Sequence, residues 1–183
     1  MTDFLLHRFV KDYENIQNPA VHTAIGKLSG TVGIACNVLL FLAKLLAGIL
    51  TGSVSIVADA MNNLSDASSS VVTLIGFKIA AKPADSKHPY GHARVEYMSG
   101  LLVSAMILMI GYTLAESSLD KILHPAAVEF SLLSIVILVL SILVKFWMNR
   151  FNVKLGNYIH STTLLATAAD SRNDVISTAV VLL

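Results

Sequence analysis

Long apolar segments alternate with short polar connections along the chain. Each apolar segment approaches the ~20 residues that a transmembrane helix needs, and the five segments cover residues 28–50, 54–80, 95–118, 129–149 and 162–183. The second and fifth segments contain internal carboxylates, so they have the lowest hydropathy of the five. The pattern predicts an all-α membrane protein, built as a helical bundle with five spans.

The composition supports a membrane protein. Hydrophobic residues make up 55% of the chain and charged residues 14%, with a mean hydropathy of +0.69, whereas soluble domains have about 25% charged residues. The net charge is +1, and no long basic run or aromatic platform indicates nucleic-acid binding. The single cysteine, Cys36, lies in an apolar segment, which excludes an intrachain disulfide and a thiolate metal cluster.

The distribution of positive charge predicts how the spans are oriented. Ten of the 13 Lys and Arg residues precede the first segment or surround the second and fourth connections: Arg8, Lys11, Lys27, Lys78, Lys82, Lys87, Arg94, Lys145, Arg150 and Lys154. Positive residues accumulate in cytoplasmic loops. Residues 1–27 are therefore expected to form a cytoplasmic N-terminal arm that breaks at Asn18-Pro19, and residues 28–183 to form the transmembrane domain.

Two of the predicted spans carry a stripe of polar residues at helical spacing. In the second span the stripe consists of Ser55, Asp59, Asn62, Asp66, Ser69 and Thr73. In the fifth span it consists of Thr163, Thr167, Asp170, Asp174 and Ser177. Inside a membrane such a stripe faces the bundle interior or a wet cavity, so the two helices are expected to line one path.

Four oxygen-bearing side chains form two pairs within these stripes, Asn62 with Asp66 and Asp170 with Asp174. Residues four apart share one face of a helix, and carboxylate and amide oxygens suit a hard divalent cation. A simpler alternative is a polar contact that holds helices together. Two matching pairs favour the cation, because three neighbouring carboxylates repel one another unless a metal or protons compensate them.

Three further charged residues of the predicted spans have an expected role or direction. Asp59 is interpreted as a supporting residue rather than a direct ligand, either beside the ligands, as a stepping stone for the ion, or as a partner of Lys44. Lys44 itself is expected to extend to the outer interface. Arg172 is rotated by about 200° from Asp170 and Asp174, so it should point away from them and pair with a carboxylate on another span.

The second connection contains another group of metal-ligand residue types, namely Asp85, His88 and His92. One carboxylate with two imidazoles is an ordinary zinc ligand set. The spacing would align the three residues on a helix, but Pro89 and Gly91 favour a turn. Surface histidines without a metal role are the alternative, so the group is predicted only as a secondary metal site.

At these positions the chain resembles the cation diffusion facilitator family of divalent-metal transporters. The stretches SVSIVADAMNNLSD in the second span, PADSKHPYGHARVE in the connection and ADSRND in the fifth span match three of the family's motifs in order. The resemblance places Asn62, Asp66, Asp170 and Asp174 at the four transport ligands. It also places Arg94, as a supporting residue, at the basic position after the Asp-His-His segment.

The resemblance implies further features of fold and cargo. The family has six spans and a cytoplasmic metal-binding domain that stabilises a homodimer, so this chain is expected to be a fragment of the transmembrane domain, truncated before span six. Zinc-transporting members usually have histidine where this chain has Asn62 and Asp170. An all-oxygen site is similar to that of the manganese-exporting branch and suits Mn²⁺, with Fe²⁺ and Zn²⁺ as alternatives.

The resulting expectation is a divalent-cation exporter of the cell membrane that exchanges Mn²⁺ for protons by alternating access, because metal ligands must lose protons to bind. The cation is cargo, and no cofactor is expected. The sequence contains no phosphate-binding loop for ATP hydrolysis and no H-E-x-x-H motif for an intramembrane hydrolase, so an enzyme is not expected. A membrane subunit that binds metal without transporting it is the other alternative.

Overall fold

The computed structural model describes residues 2–15, 17–52, 54–123 and 132–182, and in these ranges every regular element is a helix. The helices are α1 (Thr2–Phe9), α2 (Pro19–Thr51), α3 (Val54–Ala80), α4 (Val95–Leu123), α5 (Leu132–Tyr158) and α6 (Thr162–Leu182). Helices α2 to α6 coincide with the five predicted spans, which confirms the all-α bundle. Residues 129–131 of the fourth predicted span lie outside the described residues.

Helices α2, α4 and α5 are long and apolar enough to cross a membrane, over Pro19–Thr51, Val95–Thr113 and Ile135–Tyr158. Within the described part of the chain, α3 and α6 are less apolar than a helix that crosses a membrane by itself. The polar stripes are the reason, as the sequence predicted, because both helices carry carboxylates and hydroxyls in place of apolar side chains. A helix of this kind crosses a membrane only where other helices or water cover its polar face.

Helix α2 begins well before the predicted span. The Oδ1 atom of Asn18 accepts a hydrogen bond from the backbone N–H of Ala20 at 2.9 Å, and Pro19 occupies the first turn, where its missing N–H costs nothing. At the other end, Gly52 caps the helix with a φ of 66°, a left-handed conformation that glycine adopts readily. The predicted break at Asn18-Pro19 is confirmed, but residues 19–27 are part of α2.

Helix α1 packs on one end of the bundle through its apolar face. Leu6 and Val10 are buried in one cluster with residues of the longer helices and of the turn after α5: Val21, Ile25, Phe77, Phe151, Leu155, Ile159 and Leu164. The hydroxyl of Tyr158 also donates a hydrogen bond to the carbonyl oxygen of Tyr13 at 3.0 Å. The beginning of the chain is therefore a helix docked on the bundle.

Helices α2 and α3 approach each other closely because glycines line their contact. A Cβ atom added at Gly30 would lie 2.8 Å from the Cβ atom of Leu74, and one at Gly33 would lie 2.5 Å from Oγ of Ser70. Small residues let membrane helices pack backbone against backbone. This contact fixes the position of α3, which carries the first polar stripe.

Helix α6, which carries the second stripe, is held by α4 and α5. Ser161 Oγ donates a hydrogen bond to Glu96 Oε1 at 2.6 Å, and Thr163 Oγ1 donates to the carbonyl oxygen of Glu96 at 2.8 Å. Further along, the side chain of Asn149 on α5 donates to the carbonyl oxygen of Ala168 at 2.7 Å. Helices α3 and α6 also contact each other, so the two stripes meet inside the bundle.

Candidate metal site

The polar stripes of α3 and α6 face each other inside the bundle, as predicted. Thr73 Oγ1 lies 3.4 Å from Thr167 Oγ1, and both side chains are buried. The stripe on α6 ends at Ser177, which is exposed, and the side chain of Ser55 lies outside the described residues. Hydroxyl groups from both helices therefore line the contact on one side of the carboxylates.

Three carboxylates converge where the stripes meet. One carboxylate oxygen from each of Asp66, Asp170 and Asp174 lies within 4.8 Å of the others. Asp66 is 2% exposed and Asp170 is 7% exposed, while Asp174 is partly buried. The Nδ2 atom of Asn62 lies 3.4 Å from Oδ1 of Asp174. The structure thus brings together all four residues that the sequence predicted as transport ligands; we call them the carboxylate cluster.

One buried oxygen of the carboxylate cluster, Oδ1 of Asp66, has no hydrogen-bond partner among the described residues. An unsatisfied buried polar atom costs about 1–3 kcal/mol, so it marks a position where a cation would be stabilising. The cluster offers oxygen atoms from three carboxylates, and the amide group of Asn62 donates a hydrogen bond to one of them. This donor set fits a hard divalent cation such as Mn²⁺.

The carboxylate cluster also contains a lysine, which the sequence pattern did not connect with the predicted ligands. The Nζ atom of Lys145 is 2.5 Å from Oδ2 of Asp66 and 2.6 Å from Oδ2 of Asp174, and the residue is 3% exposed. The sequence grouped Lys145 with the positive residues around the fourth connection, which is wrong, because its ammonium group is buried between Asp66 and Asp174 inside the bundle. A lone lysine in an apolar span was the available indication of a buried partner.

Lys44 and Asp59 form a second ion pair, between α2 and α3. The Nζ atom of Lys44 lies 2.8 Å from Oδ2 of Asp59, although the angle is not that of a hydrogen bond, and Lys44 is 2% exposed. The prediction that Lys44 extends to the outer interface is wrong, because the carboxylate holds its ammonium group inside. Asp59 is therefore the partner of Lys44 and stands apart from the three converging carboxylates.

Two arginines that lie near the candidate ligands in sequence have exposed side chains. Arg172 is exposed, so it points away from the carboxylate cluster as predicted. The predicted ion pair between Arg172 and a carboxylate of another span is not found among the described residues. Arg94, the predicted supporting residue, is also exposed and makes no ion pair within the same ranges.

The second connection gathers Asp85, His88 and His92 in a turn, as predicted. One ligand atom of each residue lies within 4.8 Å of the others. The Nδ1 atom of His88 is 3.2 Å from Oδ1 of Asp85, and the Nε2 atom of His92 is 3.7 Å from Oδ2. Gly91 has a φ of 77°, which glycine adopts without strain. Nδ1 of His92 donates to the carbonyl oxygen of Pro83 at 3.2 Å, which leaves Nε2 directed at Asp85.

The turn itself stabilises the ionised form of Asp85. The backbone N–H of His88 donates to Oδ1 of Asp85 at 2.6 Å, and the backbone N–H of Lys87 donates to the same atom at 2.9 Å. These hydrogen bonds, that from His88 above all, hold the pKa of the Asp85 carboxyl below its ordinary value. An ionised carboxylate with two adjacent imidazoles has the chemistry of a surface metal site.

Comparison with known proteins identifies the family of the chain. Residues 30–183 match the cation efflux transmembrane domain. The chain belongs to this family. The match agrees with the resemblance to the cation diffusion facilitators, a family whose members are transporters rather than enzymes. The interpretation as an intramembrane hydrolase is therefore set aside.

In the aligned regions, about one third of the residues of this cation efflux domain are identical to those of curated relatives. An uncharacterized transporter of Methanocaldococcus jannaschii is 33% identical over 151 residues, which are 82% of this chain and 53% of the relative. The manganese efflux system protein MneS of Bacillus subtilis is 32% identical over 149 residues, 81% of this chain and 51% of the relative. The magnetosome protein MamB of Paramagnetospirillum magneticum is 32% identical over 141 residues, which are 77% of this chain and 48% of the relative. The chain spans about half the length of these relatives.

Proposed function

We propose that this cation efflux domain acts in the export of a divalent metal ion, with Asn62, Asp66, Asp170 and Asp174 as the transport site. The observation that carries the proposal is the convergence of three carboxylates from two facing helices within 4.8 Å. Carboxylates at such distances repel one another, and a polar contact between helices does not require three of them. A divalent ion would compensate this charge and would bind the unpartnered Oδ1 of Asp66 as well.

Mn²⁺ is the proposed cargo, with Fe²⁺ and Zn²⁺ as alternatives. The three converging carboxylates supply only oxygen ligands, and no histidine or cysteine joins them among the described residues. Zinc sites commonly use nitrogen and sulfur ligands, whereas carboxylate and carbonyl ligands suit Mn²⁺. The Bacillus subtilis relative carries the name manganese efflux system protein, which supports the same ion for this chain.

Export is proposed to occur by alternating access in exchange for protons. Carboxylates must lose protons to bind a metal, so metal binding and proton release are linked at the same residues. Two closely packed helix pairs, α2 with α3 and α5 with α6, meet at the carboxylate cluster, while the direct contact between α3 and α6 is smaller. A rocking movement of one pair against the other would open the site to each side in turn.

The proposal includes a cytoplasmic N-terminus, a location in the cell membrane and a homodimer. Without Lys145, the other nine of the ten positive residues still lie before residue 28 or around the second and fourth connections, which supports the orientation. The homodimer is supported by the family resemblance. In this orientation the turn with Asp85, His88 and His92 is cytoplasmic, and we assign it to a secondary cation site near the entrance.

One titration of Mn²⁺ into the purified protein in lipid nanodiscs tests both sites. The wild type should show two classes of binding site. The double variant Asp66→Asn/Asp174→Asn should lose only the transport site, and His88→Ala/His92→Ala should lose only the secondary site. Arg172→Ala is a matched control, because Arg172 is exposed on the same helix as Asp174, and it should retain both.

Each double variant has its own contradicting result. Two unchanged classes of binding site in Asp66→Asn/Asp174→Asn would show that the carboxylate cluster does not hold the ion. Unchanged binding in His88→Ala/His92→Ala would show that the turn is only a solvated group of side chains. Size-exclusion chromatography of each variant confirms that the protein is folded before binding is compared.

A further inference from the structure

The buried lysine in the carboxylate cluster lies where a bridging cation would lie. Lys145 is on α5, whereas the proposed ligands are on α3 and α6. Its Nζ atom lies 2.5 Å from Oδ2 of Asp66 and 2.6 Å from Oδ2 of Asp174. The ammonium group is therefore shared between one carboxylate of each stripe.

Electrostatics explains why an ammonium group lies between these carboxylates. Charged groups removed from water are destabilising unless they are paired, and the cluster holds three carboxylates. The Lys145 ammonium offsets part of this charge when no metal is bound. A metal that bridged the same two oxygens would lie about 2.0–2.2 Å from each of them, beside the ammonium nitrogen. Two cations that close repel each other strongly, so the metal and the ammonium group exclude each other from the bridging position.

We infer that Lys145 is a tethered substitute for the metal ion: its ammonium group bridges Asp66 and Asp174 when the site is empty and is displaced when a divalent cation binds. The inference rests on the proposed function of the same site. It gives Lys145 two effects. The lysine competes with the metal and thereby weakens metal binding, and it returns to the carboxylates as the metal leaves, which accelerates release.

The direction in which the affinity for metal changes when Lys145 is replaced distinguishes competition with the metal from a purely structural role. If Lys145 only held α3, α5 and α6 in place, its replacement by an uncharged residue would loosen the site and weaken metal binding. A competitor has the opposite effect, because its removal strengthens metal binding. Charge is the property that competes, so a substitution that keeps the charge should strengthen metal binding less than one that removes it.

The test is a titration of Mn²⁺ into the protein in lipid nanodiscs at one fixed pH. All variants carry His88→Ala/His92→Ala, so that only the carboxylate cluster is measured. Lys145→Met removes the charge at similar length and should lower the Kd for Mn²⁺ by about tenfold or more. It should also slow Mn²⁺ uptake into proteoliposomes at saturating Mn²⁺, because release is no longer assisted. Lys145→Arg keeps the charge and should lower the Kd less than Lys145→Met does. The matched control Lys154→Met, which is exposed on the same helix, should bind and take up Mn²⁺ like the wild type.

A Kd for Lys145→Met equal to or above that of the wild type would overturn the inference, and so would equal tightening in Lys145→Arg. Since Lys145→Met leaves the carboxylates uncompensated, the variant is purified with Mn²⁺ present throughout. Chelation of the metal should then lower its melting temperature more than that of the wild type. Failure to fold even with Mn²⁺ would also overturn the inference, because the metal should replace the ammonium group.

The proposed function and the inference fail in different ways. If Asp174→Asn leaves Mn²⁺ binding unchanged in the same background, the carboxylate cluster is not the metal site and both fail. If Asp174→Asn abolishes binding while Lys145→Met binds no more tightly than the wild type, the metal site stands and only the role of Lys145 is refuted.

Discussion

Asn62 and Asp170 are the residues of the carboxylate cluster that we expect to influence its ion preference most directly. Each takes the first position of its i, i+4 pair, and each supplies an oxygen where a histidine would supply a nitrogen. Asn62 is neutral, whereas Asp170 is a buried carboxylate that lies close to Asp66 and Asp174. Replacement of both residues by histidine would change two donor atoms and remove one carboxylate.

The double variant Asn62→His/Asp170→His should therefore shift selectivity from Mn²⁺ toward Zn²⁺. We expect the ratio of Mn²⁺ to Zn²⁺ uptake to fall about tenfold or more, equivalent to about 1.4 kcal/mol, because tetrahedral Zn²⁺ binds imidazole readily. Competition uptake into proteoliposomes measures the ratio. Arg172→His adds an imidazole at an exposed position of α6 and should not change it. An unchanged ratio in the double variant would remove the main support for manganese, although metal transport itself would stand.

Among the individual residues of the site, the sequence could predict which four side chains come together but not Lys145. The four proposed ligands are recognisable because each pair shares a helix face and the two pairs have matching positions in their stripes. Lys145 and Lys44 are not recognisable in this way. A long basic side chain near the end of an apolar segment reaches either the interface or a buried carboxylate, and only the packing of neighbouring helices decides which.

At the scale of the helices, the close contact of α2 with α3 determines where the first stripe lies. Gly30→Ala should lower the stability of the bundle by about 1–3 kcal/mol, the usual cost of overpacking. The added Cβ atom would lie 2.8 Å from Cβ of Leu74 and 3.1 Å from its backbone nitrogen, so the two helices would have to separate. Thermal unfolding in detergent measures the effect as a lower melting temperature.

The matched control is Gly111→Ala on α4, where an added Cβ atom meets nothing within 4 Å. Alanine has a higher helix propensity than glycine by about 1 kcal/mol, so the melting temperature of this variant should not fall. Equal melting temperatures for the Gly30 and Gly111 variants would contradict the backbone-to-backbone contact of α2 with α3.

The sequence predicted the number and type of the long helices but misplaced some of their ends. Apolar segments mark the part of a helix inside a membrane, whereas the helix itself continues as long as its backbone is capped and covered. Helix α2 begins at Pro19, since Asn18 caps it and α1 covers the first turns. Helix α5 continues to Tyr158, so Arg150 and Lys154 lie on the helix and not in a loop.

At the scale of the whole molecule, two helix pairs meet at one carboxylate cluster. This arrangement fits a carrier that opens to either side, and it also fits a membrane subunit that binds metal without transporting it. The sequence could indicate that the stripes of α3 and α6 face each other, because each stripe needs a covered face. How the two pairs move, and whether they move at all, depends on tertiary energetics that no local pattern contains.

Uptake of Mn²⁺ into proteoliposomes under an imposed proton gradient tests the central claim most directly. The wild type should accumulate Mn²⁺, while Asp174→Asn, which keeps the size of the side chain, should lose uptake by about 100-fold, equivalent to about 2.7 kcal/mol. Arg172→Ala, on the same helix, should transport like the wild type. Wild-type uptake by a folded Asp174→Asn protein would contradict the account, because the carboxylate cluster would then lie outside the path of the ion.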